Sequence, residues 1–285
     1  MAQITNQAKL SYNGTVVNSN VAVGEIVQVL TATKTAVPDV YAQGATVVYA
    51  ISIVNSGAAP VTGVTLSDDL GGYPFGETTL YPLTYTEGSV KVFENGTLLT
   101  DPVTVTPGAP LEISGLTVPA GGNVTVLYAA TVNSFAPAEA GNTINNTVTV
   151  DGTGITPFDA SAVINAQTEP SLTITKSISP ETVTENGTVT YAFLIQNFGA
   201  GAADASANVT VTDTLDPVLT SLTAVLDGEP MERTTTYTYS EETGSFETVA
   251  GAITVPAATF TQDAQSGEWT VSPGSTTLTI TGTVA

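Results

Sequence analysis

The chain repeats itself at long range. Residues 30–36 read LTATKTA and residues 172–178 read LTITKSI, so Lys34 and Lys176 stand at matching positions, 142 residues apart (176 minus 34). At the same offset TVVYAISIVNSG (46–57) matches TVTYAFLIQNFG (188–199), and VTLSDDL (64–70) is followed in the second copy by VTVTDTL (209–215). The first copy runs on through VTVLYAATV (124–132) into INNTVTV (144–150) and SAVINAQ (161–167). The second reaches LTITGTVA (278–285) with no counterpart of those last two segments. Segments that resemble them, ITNQAKL (4–10) and NVAVGEI (20–26), stand ahead of the first copy instead. The expectation is that the second copy is completed by the N-terminus of another molecule of the same chain.

A chain of 285 residues has room for about two domains. The 42% hydrophobic share is enough for packed cores, and the 26 Gly and 16 Pro punctuate short segments rich in Thr and Val. No long stretch shows apolar residues at 3.6 spacing, so the fold class is all-β. The net charge of −21 opposes binding to nucleic-acid phosphates or anionic lipid. No apolar run reaches the length of a membrane span, so no membrane insertion is expected. Cysteine and histidine are both absent, which excludes disulfides, thiolate metal sites and histidine-based catalysis. No leader precedes AQITNQ, so the expectation is that a leader has been removed or that export does not use one.

The turn signals divide the chain into an N-terminal donor arm (1–29), a first sandwich domain (30–167) and a second (170–285). Pro170 marks the linker between the domains. The arm has one or two strands with NGT (13–15) as a turn. Val47, Tyr49, Ile51 and Ile53 alternate with small or polar residues, as in a half-buried strand. Asn95–Gly96 is the tip of a hairpin in SVKVFENGTLL, and TYTYSEETGSFETV (236–249) reads as a further hairpin. Short strands at regular spacing predict two tandem Ig-like β-sandwiches.

The order TKxxx, GxTVxYxxxxxNxG, VxxxDxL, VPAGGxxxV, ITNxAxV resembles the bacterial surface repeat domains known as domain of unknown function eleven. These are Ig-like modules of cell-wall and filament proteins, mostly from Gram-positive bacteria. The resemblance covers almost the whole chain, with the last motif displaced to Ile4–Leu10. It implies an extracellular structural role on a bacterial cell or spore surface, and isopeptide-forming fimbrial modules resemble the same family.

Strand parity locates the chemistry. Alternate side chains share a face, so Leu30, Ala32 and Lys34 point one way, as do Leu172, Ile174 and Lys176. If the apolar face is inner, both lysines lie in or beside a core. The same rule turns Asp68 inward with Val64 and Leu66, Asp213 with Val209 and Val211, Asn146 with Ile144 and Val148, and Asn6 with Ile4, Ala8 and Leu10. Lys, Asp and Asn in a dry core are the set for a spontaneous isopeptide bond. Desolvation keeps the lysine neutral and nucleophilic, and a protonated Asp polarises the Asn carbonyl. The expected trios are Lys34, Asp68 and Asn146 within one chain, and Lys176 and Asp213 with Asn6 of a neighbouring molecule. An unreacted buried trio that fixes register is the competing reading.

Other features weigh less. The acidic pairs Asp68–Asp69 and Glu241–Glu242 could hold calcium, but neither lies in an EF-hand or RTX spacing, and no metal or cofactor is expected. Trp269, Tyr237 and Tyr239 could stack on sugar or pack internally. The Asn-x-Thr triplets at Asn13, Asn95, Asn123, Asn186 and Asn208 read as turns. The leading expectation is a filament subunit, a head-to-tail homopolymer joined by donor-strand complementation in which Ile4, Ala8 and Leu10 fill pockets. Host surfaces and neighbouring filaments are further candidate partners. The alternative is a monomeric adhesin or cell-wall stalk domain binding host glycan or protein. An enzyme is disfavoured, since only the self-processing trios suggest chemistry.

Overall fold

Strands form where inward apolar residues alternate with small or polar ones, and Thr46–Asn55 is the clearest case. Its Val47, Tyr49, Ile51, Ile53 and Asn55 are buried. The computed structural model describes residues 2–26, 28–100 and 103–285. The described residues are all-β apart from one short 3-10 turn, Ala205–Ala207. They fall into two compact units, one made of residues 1–39, 44–133 and 145–164 and the other of 40–43, 134–144 and 165–285.

In the first unit one sheet carries, in order, Thr97–Leu98, Lys91–Glu94, Asn123–Val132, Thr46–Asn55 and Leu30–Val37. The facing sheet includes, in order, Thr104–Thr106, Leu111–Val118, Val61–Asp68, Thr143–Gly152 and Phe158–Ala166. Val61–Asp68 is therefore flanked on both sides. Between the sheets lie Leu30, Ile51, Ile53, Leu66, Ile113, Val126, Val148 and Ile164, all buried, which makes an Ig-like sandwich.

In the second unit Leu172–Ser179, Thr188–Asn197, Gly274–Val284, Leu219–Leu226 and Glu229–Pro230 form one sheet. A three-stranded sheet, Thr212–Thr214, Ser245–Thr248 and Tyr237–Tyr239, supplies the other layer. Phe193, Ile195, Phe246, Leu278 and Ile280 are among its core residues. Here the segment 209–215 departs from expectation. Only Thr212–Thr214 is strand, and among the described residues its ladder partner is Ser245–Thr248 alone. Among the described residues nothing occupies the side that Thr143–Gly152 takes in the first unit, so the segment lacks the second ladder that keeps Val61–Asp68 extended over eight residues.

The repeated N-x-G motif has a physical cause. Asn55 Nδ2 donates to the carbonyls of Ala59 and Val118 while Oδ1 accepts from Gly57 N–H. Asn197 does the same with Gly201, Pro256 and Gly199, and also accepts from Ser171 N–H. Each buried amide thereby satisfies backbone groups that the strand ends leave without ladder partners.

The N-terminal arm is a two-stranded ribbon paired with itself. Ala2–Asn6 pairs with Ala22–Ile26, and Lys9–Tyr12 pairs with Thr15–Asn18. Asn13 and Gly14 both have positive φ, 47° and 79°, the pattern of a primed hairpin turn. Two residues separate the paired stretches on the outgoing side and three on the return side, so the ribbon carries a bulge. Ala8 lies at that break, where its N–H donates to Ser19 Oγ. The arm is thus two strands joined at the Asn13–Gly14 turn, each divided by the bulge into two paired segments.

Candidate functional site

In the first unit the three candidate residues lie in one hydrogen-bonded chain. Lys34 Nζ donates to Asp68 Oδ2 at 2.7 Å, and the two side chains are 0% and 1% exposed. Tyr128 Oη donates to the same Oδ2 at 2.7 Å and accepts from Asn146 Nδ2 at 2.8 Å. Asp68 Oδ1 accepts from Leu70 N–H. The Lys34 ammonium also lies 5.0 Å from the Tyr49 ring centroid and 6.0 Å from that of Tyr128, and the two rings stack at 5.3 Å.

Burial pushes the Lys34 pKa down, against the opposing attraction of Asp68 and Asp69. Burial and the Asp68 charge push the Tyr128 phenol well up, so it stays protonated. Asp69 is also pushed up by burial, although hydrogen bonds from the backbone N–H groups of Thr147 and Gly71 oppose this. Asp69 thus holds strand Thr143–Gly152 beside Asn146, and Asp69 N–H donates to Thr147 carbonyl in return.

Asp68 reaches Asn146 by a different route from the one expected. It does not touch the amide carbonyl: Asn146 Oδ1 is buried without a hydrogen-bond partner. The link runs through Tyr128 to the amide nitrogen. The orientation follows from proton counting. The phenol has one proton, which goes to the carboxylate, so its lone pair must meet the amide N–H. Tyr128 was not singled out from the sequence, and Asp69 was singled out only as half of a possible calcium pair. Tyr128 could have been suspected from its inward parity in VTVLYAATV, but its place opposite Tyr49 depends on the cross-strand register.

The second unit holds the matching pair in an open setting. Lys176 Nζ donates to Asp213 Oδ2 at 2.5 Å, yet the side chains are 40% and 18% exposed. Lys176 lies 4.6 Å from the Tyr191 ring centroid, the counterpart of Tyr49, and 5.3 Å from that of Phe193. Opposite Tyr191 stands Ile280, where the first unit has Tyr128 opposite Tyr49. The expected inner face of Leu172–Ser179 is uncovered: Leu172, Ile174 and Ile178 are all exposed. In the first unit the equivalent Leu30 is buried.

The donor candidates are exposed too. Ile4 is 56% and Leu10 63% exposed, and Asn6, Ala8, Val21 and Val23 also face solvent. Asn6 pairs through its backbone with Ala22 and meets neither Lys176 nor Asp213 within the chain's described hydrogen bonds.

The minor candidates resolve simply. Asp68 and Asp69 are occupied as above, and Glu241 lies 3.6 Å from Arg233. Among the described residues no three acidic side chains gather as a metal site. Tyr237 stacks on Phe246 in the core, and Tyr239 Oη accepts from Leu219 N–H, so these two rings form no sugar platform with Trp269. Asn13, Asn95, Asn186 and Asn208 occupy left-handed turn positions, while Asn123 starts a strand. Among the described residues no helix is long and apolar enough to cross a membrane.

No protein-family model matches the chain, and no curated protein matches it. Solved structures similar to it include BcpA, the major pilin subunit of Bacillus cereus (12% identity, TM-score 0.36, 96% of this chain and 73% of that one). The pilus backbone RrgB of Streptococcus pneumoniae is similar at 13% identity and a TM-score of 0.34, over 86% of this chain and 55% of that one. The collagen-binding domain of a Staphylococcus aureus adhesin is similar at 10% identity and a TM-score of 0.31, over 48% of this chain and 99% of that one. Likeness at this level assigns no function.

Proposed function

We propose that this chain is the structural subunit of an extracellular filament that assembles head to tail. The N-terminal ribbon of one molecule completes the second sandwich of the next, and amide bonds lock the joint. One observation carries the reading. Leu172, Ile174 and Ile178 face solvent beside the half-open Lys176–Asp213 pair, whereas Ile144, Asn146, Val148 and Val150 along Thr143–Gly152 are buried, as are Lys34 and Asp68. Residues 4–10 repeat that buried pattern, with Ile4, Asn6, Ala8 and Leu10 in the places of Ile144, Asn146, Val148 and Val150. The exposed ribbon and the exposed face thus have matching chemistry.

An open sheet edge favours strand addition. Donor and acceptor are different surfaces, so each added molecule leaves a new acceptor open and the contact propagates as a fibre. Burying each large apolar donor side chain contributes roughly 1.5–3 kcal/mol. The self-paired ribbon supports donation as a hairpin, covering the face as Thr143–Gly152 and Phe158–Ala166 do together in the first unit.

The Lys34–Asp68–Tyr128–Asn146 chain and the matching Lys176–Asp213 pair support the crosslink reading. Neutral lysine nitrogen attacks the Asn side-chain carbonyl carbon, the carbon–nitrogen bond of the amide breaks, and ammonia leaves. Lys34 and Asn146 close within the chain; Lys176 closes onto Asn6 of the neighbour.

Removing residues 1–12 tests assembly. The shortened chain is expected to stay soluble and form no fibres in negative-stain micrographs. Fibres that persist without those residues refute strand donation.

A further inference from the structure

The two lysine–aspartate pairs differ at one position in a way that bears on how the amide bonds form. Tyr128 Oη sits between Asp68 Oδ2, at 2.7 Å, and Asn146 Nδ2, at 2.8 Å. Ile280 holds the matching place in the second unit, with no hydroxyl to offer. We propose that the Tyr128 hydroxyl is a catalytic proton relay for the bond inside the first unit, carrying a proton from Asp68 to the amide nitrogen of Asn146 as that nitrogen leaves. This rests on the crosslink reading above.

The ground state already holds the path, but with its polarity reversed. An amide nitrogen is a donor only, since its lone pair is delocalised, and Asn146 accordingly donates to Tyr128. Lys34 first passes a proton to Asp68 across their 2.7 Å hydrogen bond, which leaves a neutral amine and a carboxylic acid. Attack on the Asn146 carbonyl carbon makes that centre tetrahedral and localises the nitrogen lone pair. The nitrogen becomes a base, and each hydrogen bond in the row can reverse. Asp68 then donates to Tyr128 while Tyr128 donates to nitrogen, and the carbon–nitrogen bond breaks.

Protons balance. Of the three on the lysine ammonium, one remains on the new amide nitrogen and one leaves on ammonia. The third rests on Asp68 until departing ammonia takes it as ammonium. Tyr128 ends as it began, a neutral phenol, which fits a site where burial disfavours its charged form. In the second unit a docked Asn6 would meet Ile280 in that place, so Asp213 would have to serve the leaving nitrogen without an intermediary from its own sheet.

The test uses the full-length Asn6→Ala chain, which can form only the bond inside the first unit. It is recovered unfolded from inclusion bodies into denaturant, before the bond has closed, then refolded and followed by intact-mass measurement, with Lys34→Ala as the zero. The parent is expected to lose one ammonia. Adding Tyr128→Phe, which keeps the ring but removes the hydroxyl, should slow that loss about 100-fold, in line with losing one proton-transfer group, while the circular dichroism spectrum is unchanged. Ammonia loss at the parent's rate in the Phe variant overturns the relay and leaves the crosslink reading intact. A parent that never loses ammonia overturns the crosslink reading and the relay with it. If the Phe variant does not fold, the parent's rate in mixed light and heavy water decides. A bowed dependence on deuterium fraction reports two protons moving together and supports the relay; a straight line overturns it.

Discussion

Lys34 and Lys176 hold equivalent positions in the two repeats, and the first side chain is 0% exposed while the second is 40% exposed. Both donate to an Asp and both lie over aromatic rings. The difference lies in what covers them. Thr143–Gly152 lies next to Val61–Asp68 and seals the first pair; among the described residues nothing lies in that place beside Thr212–Thr214. One local sequence thus gives two electrostatic environments.

Before its amide bond closes, Lys34 should make the first unit more stable as pH rises. Burial lowers its folded pKa below the ordinary 10.5, so between the two values the unfolded chain holds the extra proton. Stability then climbs with pH through that window and is lost as pH falls through the lowered value. Tyr128, shifted upward, works in the opposite sense above its ordinary 10.0, which limits the useful range to lower pH. The Asn146→Ala variant, unable to crosslink, should show a urea midpoint that rises from pH 7 to pH 10. Adding Lys34→Met should remove that rise. A midpoint equally pH-dependent with and without Lys34 contradicts the assignment.

Leu10→Asp separates folding from assembly. Leu10 is exposed in the single chain, so the change should move the melting free energy by no more than about 0.5 kcal/mol. In a donated strand the same position would enter an apolar pocket, and burying an unpaired carboxylate there costs far more. Thermal melting of the monomer should be unchanged while micrographs show no fibres. Fibre growth at the unmodified rate would show that Leu10 contributes nothing to the joint.

Much of this architecture was legible because its rules are local. Alternation in TVVYAISIVNSG gave the strand and its inward face, and Asn13–Gly14 and Asn95–Gly96 gave turns that need positive φ. Parity alone turned Lys34, Asp68 and Asn146 inward. Tyr128 was missed because its role depends on the register of Asn123–Val132 against Thr46–Asn55, a long-range pairing that no local pattern encodes. The exposure of Lys176 was missed for a related reason. Parity says which way a side chain points, but not whether another strand lies over it.

Asn55→Ala should cost the first unit roughly 3 kcal/mol. Its side chain meets two carbonyls and one N–H, and truncation leaves these groups without their partners at about 1–3 kcal/mol for each that stays dry. Urea denaturation followed by circular dichroism reads the loss, and Asn197→Ala should show a comparable effect in the second unit. A loss below about 0.5 kcal/mol would place these amides among ordinary surface side chains.

Lys176→Ala should spare the monomer and remove the covalent joint of the polymer. In the single chain the ion pair is part-exposed, and such pairs contribute about 0–1 kcal/mol, so monomer melting should barely move. In the assembled state Lys176 would be the nucleophile toward Asn6 of the neighbour, and without it no amide forms. Wild-type fibres boiled in detergent should run as a ladder of multimers on a denaturing gel. Lys176→Ala fibres should still grow, because the apolar donor contacts remain, and should run as monomer after the same treatment. Wild-type fibres that themselves collapse to monomer on boiling would show that the joint is held by strand pairing and burial alone.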